Sequence, residues 1–581
     1  MKKNLTISTL IGAAMLLSSC SKVLDKTNLT AVNPSQVWTN AAIAKAYLDD
    51  VYANMMPGNP AGSGNDTDEG VSYQLQTNIW MRGGATYDSY DIYNDQFKNI
   101  RTINIFLSGL DNASFDDAAK KQMKGQALFW RAWAYYALTK SYGGVPIITA
   151  PQAATTDLNA LQLPRNKTSE CIAQIVKDLD DAISMLPDVW AGEDVGRIDK
   201  CAAMAFKGRV LLFFASPLFN PANSTAKWQQ AYDACLAAKN QCDAKGKGLY
   251  APYNKIWDDE LNKEVIMVRR YNYPQATYFQ GGLIPLNFSQ DLAGQDRPSL
   301  ELVNAFPRKD GSSWNPATMS YDTLFRSRDD RFYETIYYNG SPYQYLAKMK
   351  NMNTYLWTYF DAITDYYSGT GIIGTHNSIT TDPLWSNSSF YRIKAIDKTA
   401  NMATSVYNSG VDWPEIRYAE VLMNYGEAAN EAGKTADALN VLYSIRGRAG
   451  ITPGAGGNYG LSATSTADIR AAYQKERFVE FAFEGKRLDD LRRWKMFGYL
   501  RSLPQRHGVA ILLKQGQSDV KPMDDINQVW TRFSTTVVKT DIADIAIKDD
   551  YYIYGIPLTY ISRNPKLLQN NNWGGTFDPL Q

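Results

Sequence analysis

A pair of helices joined by a short turn is the feature of this sequence that most constrains its fold. In residues 412–451, Pro414 suits a first helical turn, where its missing N–H leaves no donor unpaired. Small and apolar residues then recur at helical spacing: Ile416, Ala419, Met423 and Gly426. Gly433 predicts the end of this helix, and Thr435 predicts the cap of a second helix that ends near residue 447 or 450. So short a turn makes the two helices antiparallel, which indicates one unit of a tetratricopeptide-like array.

The same arrangement is predicted three more times towards the N-terminus. Helical patterns cover six further stretches: residues 40–56, 92–110, 116–140, 168–186, 199–215 and 226–242. A single unit of such an array cannot bury its apolar face alone, so we expect about four helix pairs to stack into one scaffold. With 45% hydrophobic residues, the chain of 581 residues can form a large core or two adjoining ones.

Residues 244–411 interrupt the helical array. They are rich in Gly, Pro, Asn and aromatic residues and show no sustained helical period, although residues 264–273 resemble a strand. A structureless loop of this length is implausible in a globular protein, so we expect an irregular insertion that packs on the scaffold. The predicted fold class is therefore mainly α: a tetratricopeptide-like helical-repeat scaffold with a large, loop-rich insertion that carries short strands.

A long and highly charged helix is predicted over residues 471–495. Glu476, Glu480 and Glu484 lie at i, i+4 spacing, which is repulsive unless cations from elsewhere pair with them. The basic candidates lie on the same helix and in the helix pair before it: Arg477, Lys486, Arg487, Arg492, Arg493, Arg417, Arg446 and Arg448. Carboxylates on one helical face also suit a general acid–base pair, but buried ion pairs perturb carboxylates equally well. We predict a structural clamp formed by four residues: Glu480, Glu484, Arg487 and Asp490.

The first 20 residues predict an exported lipoprotein. Residues 1–19 are typical of a signal peptide, with two lysines before a short apolar stretch at residues 5–17. This stretch is too short for a typical membrane-spanning helix. The lipobox-like residues 17–20 (LSSC) predict lipidation of Cys20, so that acyl chains anchor the mature protein to the membrane. A plain secreted signal peptide is the alternative interpretation.

Charge and histidine content argue against several classes of function. The formal net charge of +1 gives no electrostatic case for binding nucleic acid or an anionic membrane surface. The only two histidines, His376 and His507, leave histidine-based metal sites and Ser-His-Asp or Cys-His catalysis without their parts. Carboxylates are plentiful, so composition leaves a glycosidase pair open. No cofactor is predicted.

Acidic residues near the N-terminus raise the question of a structural calcium ion. Asp66, Asp68 and Glu69 could supply oxygen ligands, but the spacing of a dedicated calcium loop is absent. We therefore expect a solvated acidic loop, and calcium is not supported.

Four cysteines follow Cys20: Cys171, Cys201, Cys235 and Cys242. None lies in a CxxC pattern, so neither a zinc site nor a redox motif is supported. Cys235 and Cys242 share a predicted helix, where seven residues rise roughly 10 Å, too far for a mutual disulfide. We expect mostly buried thiols, and a disulfide between helices stays open.

Aromatic residues indicate a ligand site. They make up 12% of the chain, with 37 Tyr and 14 Trp, whose polar groups favour water or a partner. We place the site between the loop at residues 77–93 and the insertion, because functional residues favour loops on a rigid scaffold. The candidate ligand-binding residues are Asn78, Trp80, Arg82, Tyr87, Tyr90, Trp314, Trp357 and Tyr359. The alternative for each ring is that it only pins its loop to the scaffold.

Five blocks of the sequence, in order, resemble the SusD/RagB family of Bacteroidetes outer-membrane lipoproteins. The blocks are GQALFWRAWAYYALTKSYGGVPI (125–147), IDKCAAMAFKGRVLLFFASPLFNP (198–221), IRYAEVLMNYGEAANEAGKTADALNVLYSIRGRAGI (416–451), KERFVEFAFEGKRLDDLRRW (475–494) and IPLTYISRNPKLLQNNNW (556–573). Each block is moderately specific, and five in the family's order cover most of the chain.

This resemblance implies an organisation and a function. It implies an N-terminal helical region at residues 20–243 and a C-terminal region at 244–581, which contains the insertion at 244–411 and a helical region at 412–500. It also implies a non-enzymatic lipoprotein of the outer membrane, facing the cell exterior. Such a protein binds oligosaccharide or polysaccharide through its loops and delivers it, as a lid, to a SusC-like TonB-dependent transporter that the helical repeats face. Peptides or another nutrient are the alternative ligands, and a glycoside hydrolase or a pure helical scaffold are the alternative classes.

Overall fold

Long helices that pack in consecutive pairs form the scaffold of the protein. Its computed structural model describes residues 34–71, 78–153, 155–280, 283, 296–343, 355–361, 388–398, 408–517, 520, 523–541 and 543–581. The scaffold helices are α1 Ala41–Met55, α2 Tyr93–Leu110, α3 Asp117–Tyr142, α4 Thr168–Met185, α5 Lys200–Ala215, α6 Thr225–Ala244, α7 Tyr418–Glu431 and α8 Thr435–Arg448. They form the pairs α1–α2, α3–α4, α5–α6 and α7–α8. The predicted fold class, mainly α with a helical-repeat scaffold, is confirmed.

Local sequence signals explain where most of these helices begin and end. The side chains of Asn40, Asp116 and Asp199 accept hydrogen bonds from the first-turn N–H groups of α1, α3 and α5. Gly433, with a φ of 77°, follows α7 in the left-handed conformation that glycine adopts without strain. Thr435 is the first residue of α8 and not its cap, since Lys434 holds the cap position without a side-chain bond.

Small residues let the helices approach closely. A Cβ atom added at Gly426 of α7 would overlap the hydroxyl of Tyr473 and would lie 3.0 Å from Val441 Cβ on α8. The same holds at Gly208 of α5, where an added Cβ would lie 3.0 Å from Cys235 Sγ on α6. Any larger residue at these two positions would push the paired helices apart.

The predicted start of α7 and the predicted long helix at residues 471–495 were both wrong. Pro414 lies in the strand Trp413–Arg417, which pairs with Val265–Arg269, and α7 begins only at Tyr418. The charged segment is divided into α9 Thr466–Glu480 and α10 Arg487–Arg493. Between them, Phe483 and Gly485 take φ values of 59° and 70°, a left-handed conformation that breaks the helix.

The insertion carries short strands, as the sequence predicts. Two-residue strands pair as Gly70–Val71 with Arg297–Pro298, Tyr278–Phe279 with Asn408–Ser409, Ile336–Tyr337 with Tyr391–Arg392, and Ser341–Pro342 with Tyr355–Leu356. A longer hairpin, unpredicted, consists of His507–Leu513 and Phe533–Lys539, and Phe360–Asp361 joins its first strand in parallel. We call His507–Leu513 and Phe533–Lys539 the C-terminal hairpin.

Two principal hydrophobic cores result. The larger core fills the scaffold, and the second lies between the insertion, the C-terminal hairpin and the segment at residues 478–483. Short helices complete this second layer or flank it: Leu300–Ala305, Asp330–Thr335, Phe497–Ser502, Ile526–Val529 and Leu558–Arg563. Within the described ranges, no helix is long and apolar enough to cross a membrane.

Candidate functional site

The predicted clamp residues lie in a buried network of ion pairs at the turn between α9 and α10. Arg417 is its centre: Nη1 contacts Glu264 and Glu480, each at 2.7 Å, and the guanidinium also binds Glu484. Arg448 pairs with the same Glu264 and Glu480. Each of these carboxylates therefore faces at least two cations, which removes the repulsion expected from their spacing on one helix.

The other two clamp residues extend the network in both directions. Arg487 donates from Nε and Nη2 to the two oxygens of Asp68, at 2.8 and 2.7 Å. Asp490 accepts from Arg477 at 2.9 Å and from Arg493 at 2.8 Å. The network thus joins α10 to α9 and to the acidic loop near residue 68.

The electrostatics of this network do not suit a general acid. Burial disfavours the charge on Glu480, but Arg448, Arg417 and Arg331 outweigh it and hold the pKa of that carboxyl below its usual range. The pKa of Glu484 is lowered as well, because Arg417 and Lys394 overcome its burial. Both side chains are buried and paired, so they reach no substrate, and the geometry favours the structural interpretation over the acid–base pair.

The acidic loop is not solvated, which corrects the expectation from the sequence. Asp68 and Glu69 are 0% and 1% exposed. Glu69 accepts a hydrogen bond from the Phe483 N–H at 3.2 Å, and burial raises its pKa to about 8 despite the nearby Arg487. Among the described residues, no group of three or more His, Cys, Asp or Glu side chains is arranged to hold a metal ion.

The first group of predicted ligand residues packs against the C-terminal segment. Asn78 Oδ1 accepts from the N–H groups of Trp80 and Met81 and so shapes the loop. The half-buried Trp80 ring lies 5.1 Å from Tyr551 and 4.9 Å from Tyr554, centre to centre. The Tyr90 ring likewise lies 4.2 Å from Tyr554. Arg82 and Tyr87 of this group are half-buried too, and Thr77 lies outside the described residues.

The second group lies inside the second core, away from the first. Trp314, Trp357 and Tyr359 are 4%, 0% and 1% exposed. A ring without an accessible face cannot stack on a ligand, so in this conformation the three rings act as core residues and not as a binding platform. Trp80 and Tyr90 pack on the scaffold core instead, so the structure places the two groups in different cores.

An open cavity lies directly above the second group. It has a volume of about 390 Å³ and lies between residues of the insertion and residues in, or shortly before the second strand of, the C-terminal hairpin. Its lining residues are Tyr321, Asp322, Phe325, Arg326, Ser327, Tyr333, Tyr338, Asn339, Ile511, Ile526, Asn527, Trp530, Phe533 and Thr535. We call it the aromatic pocket.

The buried tryptophans support the floor of the aromatic pocket. The Trp314 ring contacts Tyr321 at 5.1 Å, and the Trp357 ring stacks on Phe533 at 5.9 Å, centre to centre. Tyr359 also contacts Phe533, at 5.1 Å. The sequence predicts Trp314, Trp357 and Tyr359 as ligand-binding residues of the insertion. They therefore lie one layer beneath a candidate site and hold its lining in place.

Trp530 lines the aromatic pocket, and it is half-buried. The short helix Ile526–Val529, capped by the side chain of Asp525, leads directly into it. The guanidinium of Arg326 lies 4.1 Å from the centre of the Trp530 ring. This cation–π contact joins the two walls of the pocket, since Arg326 belongs to the insertion and Trp530 precedes the second strand of the C-terminal hairpin.

Hydrogen bonds and ring contacts fix the opposite wall. Tyr338 stacks on Phe325 with ring centres 4.9 Å apart. The Tyr333 hydroxyl donates to Phe325 O at 2.9 Å and accepts from the Arg328 N–H at 3.2 Å. Asn339 Oδ1 accepts from the Thr358 N–H at 2.9 Å, which orients its amide at the pocket wall. The pocket combines half-buried ring faces with fixed polar groups, and such a lining suits a ligand that has both apolar faces and hydroxyl groups.

The sequence interpretation missed most of this pocket. Tyr321 is one of the aromatic residues that mark the insertion in the sequence, but Trp530 and the C-terminal hairpin were not identified. Two signals were available: the run of β-branched residues in 533–539 (FSTTVVK), and Asp525 as a helix cap shortly before a tryptophan. Neither signal shows that Trp530 faces residues 200 positions earlier.

Comparisons with known proteins agree along the chain. The model of the SusD family matches residues 253–573, and a second model, described as starch-binding associating with outer membrane, matches residues 22–212. SusD-like protein P25 of Formosa agariphila is 23% identical over 426 residues, which cover 70% of this chain and 70% of that protein.

Solved structures share the fold. A SusD-like protein from Bacteroides fragilis matches with a TM-score of 0.72 at 24% identity, covering 93% of this chain and 98% of that one. Another structure from B. fragilis, described as a SusD-like carbohydrate-binding protein, matches with a TM-score of 0.70 at 20% identity, covering 92% and 100% of the two chains.

Proposed function

The chain belongs to the SusD family, and we propose that it is a cell-surface lipoprotein that binds glycans in the aromatic pocket. The family membership supports a carbohydrate ligand, and the second matching model supports association with the outer membrane. A similar structure is itself described as carbohydrate-binding. The location of the site in this chain rests on the geometry of the pocket alone.

The observation that carries the proposal is the half-buried Trp530 ring, held by Arg326 at the wall of a cavity of about 390 Å³. This volume lies in the range of roughly 300–1,000 Å³ that is usual for small-molecule sites. Aromatic faces pack against the CH faces of sugar rings, and fixed polar groups pair with the hydroxyls, because an unpaired buried hydroxyl is costly. Asp322, Asn339 and Asn527 are the polar groups of the lining suited to this role.

Binding without turnover fits the described lining of the pocket better than hydrolysis does. Glycoside hydrolysis usually needs two carboxyl groups roughly 5–9.5 Å apart on either side of the scissile bond. Among the described residues that line the pocket, Asp322 is the one carboxylate. A sugar bound there meets acceptors and ring faces but not an acid paired with a base or nucleophile.

We further propose delivery of the bound glycan to a SusC-like TonB-dependent transporter, with this chain as the lid. The family resemblance and the outer-membrane description of the N-terminal match support this partner. Lipidation at Cys20 would hold the lid beside the transporter. Affinity purification of the tagged protein from solubilised outer membranes should recover a TonB-dependent transporter as a major partner, whereas a chain recovered alone under mild detergent would contradict this part of the proposal.

An oligosaccharide array tests glycan binding, followed by calorimetry on each hit. We expect Trp530→Ala to weaken binding by about 1–3 kcal/mol, by analogy with the stacking of bases on aromatic side chains, while the melting temperature changes little. Trp190→Ala is the matched control, because Trp190 is also half-buried but lies in the scaffold between α4 and α5. Binding of peptides with no glycan hits would favour the alternative ligand class, and an unchanged affinity of Trp530→Ala would place the site elsewhere. Product formation from a bound glycan would identify an enzyme.

A further inference from the structure

Arg326 is a cation at the wall of the aromatic pocket. Among the described residues, its guanidinium has neither a carboxylate partner nor a hydrogen-bond acceptor, and its contact is the Trp530 ring at 4.1 Å. Arg328, two positions further along, is different: it is fully buried and donates to the carbonyl oxygens of Leu324 and Phe306 at 2.8 and 2.6 Å. Arg328 therefore holds the loop, whereas Arg326 has no such structural partner.

Stacking leaves the donors of Arg326 available. A guanidinium that lies on an aromatic ring keeps its N–H groups at its edge, and their fork matches the oxygens of a carboxylate or a sulfate. The stack also restricts the side chain before a ligand arrives, which reduces the entropy lost on binding. The arrangement provides a pre-oriented anion receptor at the wall of a pocket suited to sugar rings.

We propose that the aromatic pocket selects acidic glycans, in which Arg326 binds a carboxylate or sulfate group of a sugar packed on Trp530. The proposal rests on the glycan binding proposed above and names its ligand class. Asp322 is the other charged residue of the lining, and no ion pair joins it to Arg326 within the described structure. Asp322 is thus suited to accept sugar hydroxyls, and Arg326 keeps its charge for the anionic substituent.

Matched glycans test this inference on the lipidated protein in detergent. The probes are oligouronates and sulfated oligosaccharides, each compared with its neutral counterpart made by carboxyl reduction or desulfation. We expect the acidic member of at least one pair to bind more tightly, and Arg326→Gln to lower that affinity about tenfold, with a smaller loss for the neutral counterpart because the variant also loses the contact with Trp530. The uronate and sulfate arms distinguish the two anionic groups. Arg101→Gln is the control, because it removes a cation from the exposed surface of α2, outside the aromatic pocket, and should leave the affinity for the acidic glycan unchanged.

The outcomes separate this inference from the proposed function. Equal affinities for the acidic and neutral members of every pair, or an unchanged affinity of Arg326→Gln, would overturn the selection of acidic glycans and leave glycan binding intact. If Trp530→Ala also leaves binding unchanged, the pocket itself is the wrong site. Arg326→Lys distinguishes a point charge from the guanidinium fork, since it should recover only part of the affinity.

A second, independent inference concerns two thiols in the scaffold. Gly208 of α5 lies against Cys235 of α6, where an added Cβ would come within 3.0 Å of the thiol. Cys201 precedes Gly208 by seven residues and Cys242 follows Cys235 by seven, so each lies about two turns away along its own helix. Consecutive helices joined by a short turn run in opposite directions. Seven residues back from Gly208 along α5 and seven residues forward from Cys235 along α6 therefore reach the same position along the helix pair.

The surroundings of the two thiols agree with this register. The neighbouring Cys201 thiol and burial raise the pKa of Cys242 well above its usual range, and both thiols are free in this structure and 0% exposed. Cys201 is the second residue of α5 and Cys242 lies in the last turn of α6, where the backbone can adjust more readily than in mid-helix. The two remaining thiols, Cys171 and Cys235, are buried on other contacts.

We infer that Cys201 and Cys242 form a disulfide when the protein matures outside the cytoplasm. The two thiols lose their protons, the S–S bond forms between them, and two electrons pass to the disulfide of an oxidised dithiol donor, which leaves as two thiols. Donors of this kind operate where exported proteins fold. Since both thiols are buried in the folded chain, the exchange takes place before the helix pair has closed.

Thiol counting in denaturant tests the disulfide. The full chain, expressed with its own leader, is quenched in acid, unfolded and alkylated with and without prior reduction. Cys20, which we expect to be blocked by its lipid, is left out of the count. Among the other four cysteines we expect two to be alkylated without reduction, Cys171 and Cys235, and all four after it, with peptide mapping that joins residues 201 and 242. In Cys201→Ser the Cys242 thiol should become alkylated, whereas Cys171→Ser should keep the bond. Four alkylated thiols without reduction, or a bond between other cysteines, would overturn the inference.

Discussion

Arg417 binds both carboxylate oxygens of Glu484, with Nε 2.9 Å from Oε2 and Nη2 2.8 Å from Oε1. This paired geometry exists because the chain turns between α9 and α10, with Phe483 in the left-handed region just before Glu484. Arg417 ends the strand that leads into α7, so the contact ties the last helix pair of the scaffold to this turn. On a continuous helix, Glu484 would instead lie one turn beyond Glu480 on the same face.

Removing Glu484 should destabilise the protein without affecting glycan binding. In Glu484→Ala, Lys394 loses the carboxylate at 2.6 Å from its Nζ, and Arg417 keeps Glu264 and Glu480. We expect a loss of about 1–3 kcal/mol in the free energy of unfolding, because a buried cation is left under-paired. Chemical denaturation measures this loss, and calorimetry on the folded fraction measures binding. Unchanged stability with lost binding would reverse the assignment and identify a functional carboxylate.

Trp357→Ala should mainly lower the free energy of unfolding, whereas Trp530→Ala should mainly lower the affinity for the glycan. Trp357 is fully buried in the second core and stacks on Phe533, so Trp357→Ala leaves a large cavity. We expect a loss of about 3–5 kcal/mol in the free energy of unfolding. Any loss of affinity in the folded fraction should be small beside this loss of stability, because Trp357 supports the pocket from beneath through Phe533 and is not among the described residues that line it. A variant that melts like the native protein but does not bind would make Trp357 a ligand contact after all.

Glu69 should make the protein less stable as the pH rises. Burial places the pKa of this carboxyl at about 8 in the folded state, above its ordinary value of 4.5, with Asp68 and Asp296 adding to the effect and Arg487 opposing it. Its contribution to stability is therefore complete below about pH 4.5 and is lost as the pH rises through about 8.

The variant Glu69→Gln tests this dependence, since a glutamine oxygen can still accept from the Phe483 N–H. Relative to the native protein, the variant should gain stability between about pH 4.5 and 8, at up to about 1.4 kcal/mol per pH unit, and the difference should level off above that range. Urea denaturation at a series of pH values measures the difference. A difference that stays constant across the range would contradict the raised pKa.

Lipid anchoring at Cys20 stays a prediction from the sequence, because residues 1–33 lie outside the described structure. Cys20→Ala should move the protein from the membrane fraction to the soluble fraction with an unchanged melting temperature. Fractionation after a high-salt wash, with metabolic labelling by a fatty acid, measures this. A variant that remains in the washed membranes would show that another contact anchors the chain.

The scaffold was predictable because its signals are local. Helix starts are marked by capping side chains that bind N–H groups within three residues, as at Asn40 and Asp116. The end of α7 is marked by the backbone conformation of Gly433 itself. The sequence contains such local information directly. The turn at Phe483 was not predictable in the same way. A phenylalanine in the left-handed region is unfavourable by itself, and only the surrounding ion pairs and core contacts hold it there.

The pocket could not be predicted from the sequence for a related reason. Trp80, Trp314, Trp357 and Trp530 all look alike there: each is a tryptophan in a segment with no clear helical period. Packing across the chain decides which ring is half-buried and which is covered, and Trp357 is covered because Phe533, in a hairpin the sequence interpretation missed, stacks on it.

The pairing of Asp68 with Arg487 spans 419 positions of the chain. The N-terminal acidic loop is therefore completed only by a residue near the C-terminal end of the chain. A chain cut before residue 487 would keep the Asp68 carboxylate but lose the cation that pairs with it, so we expect deletion of α10 to destabilise the loop near residue 68 as well as the C-terminal region.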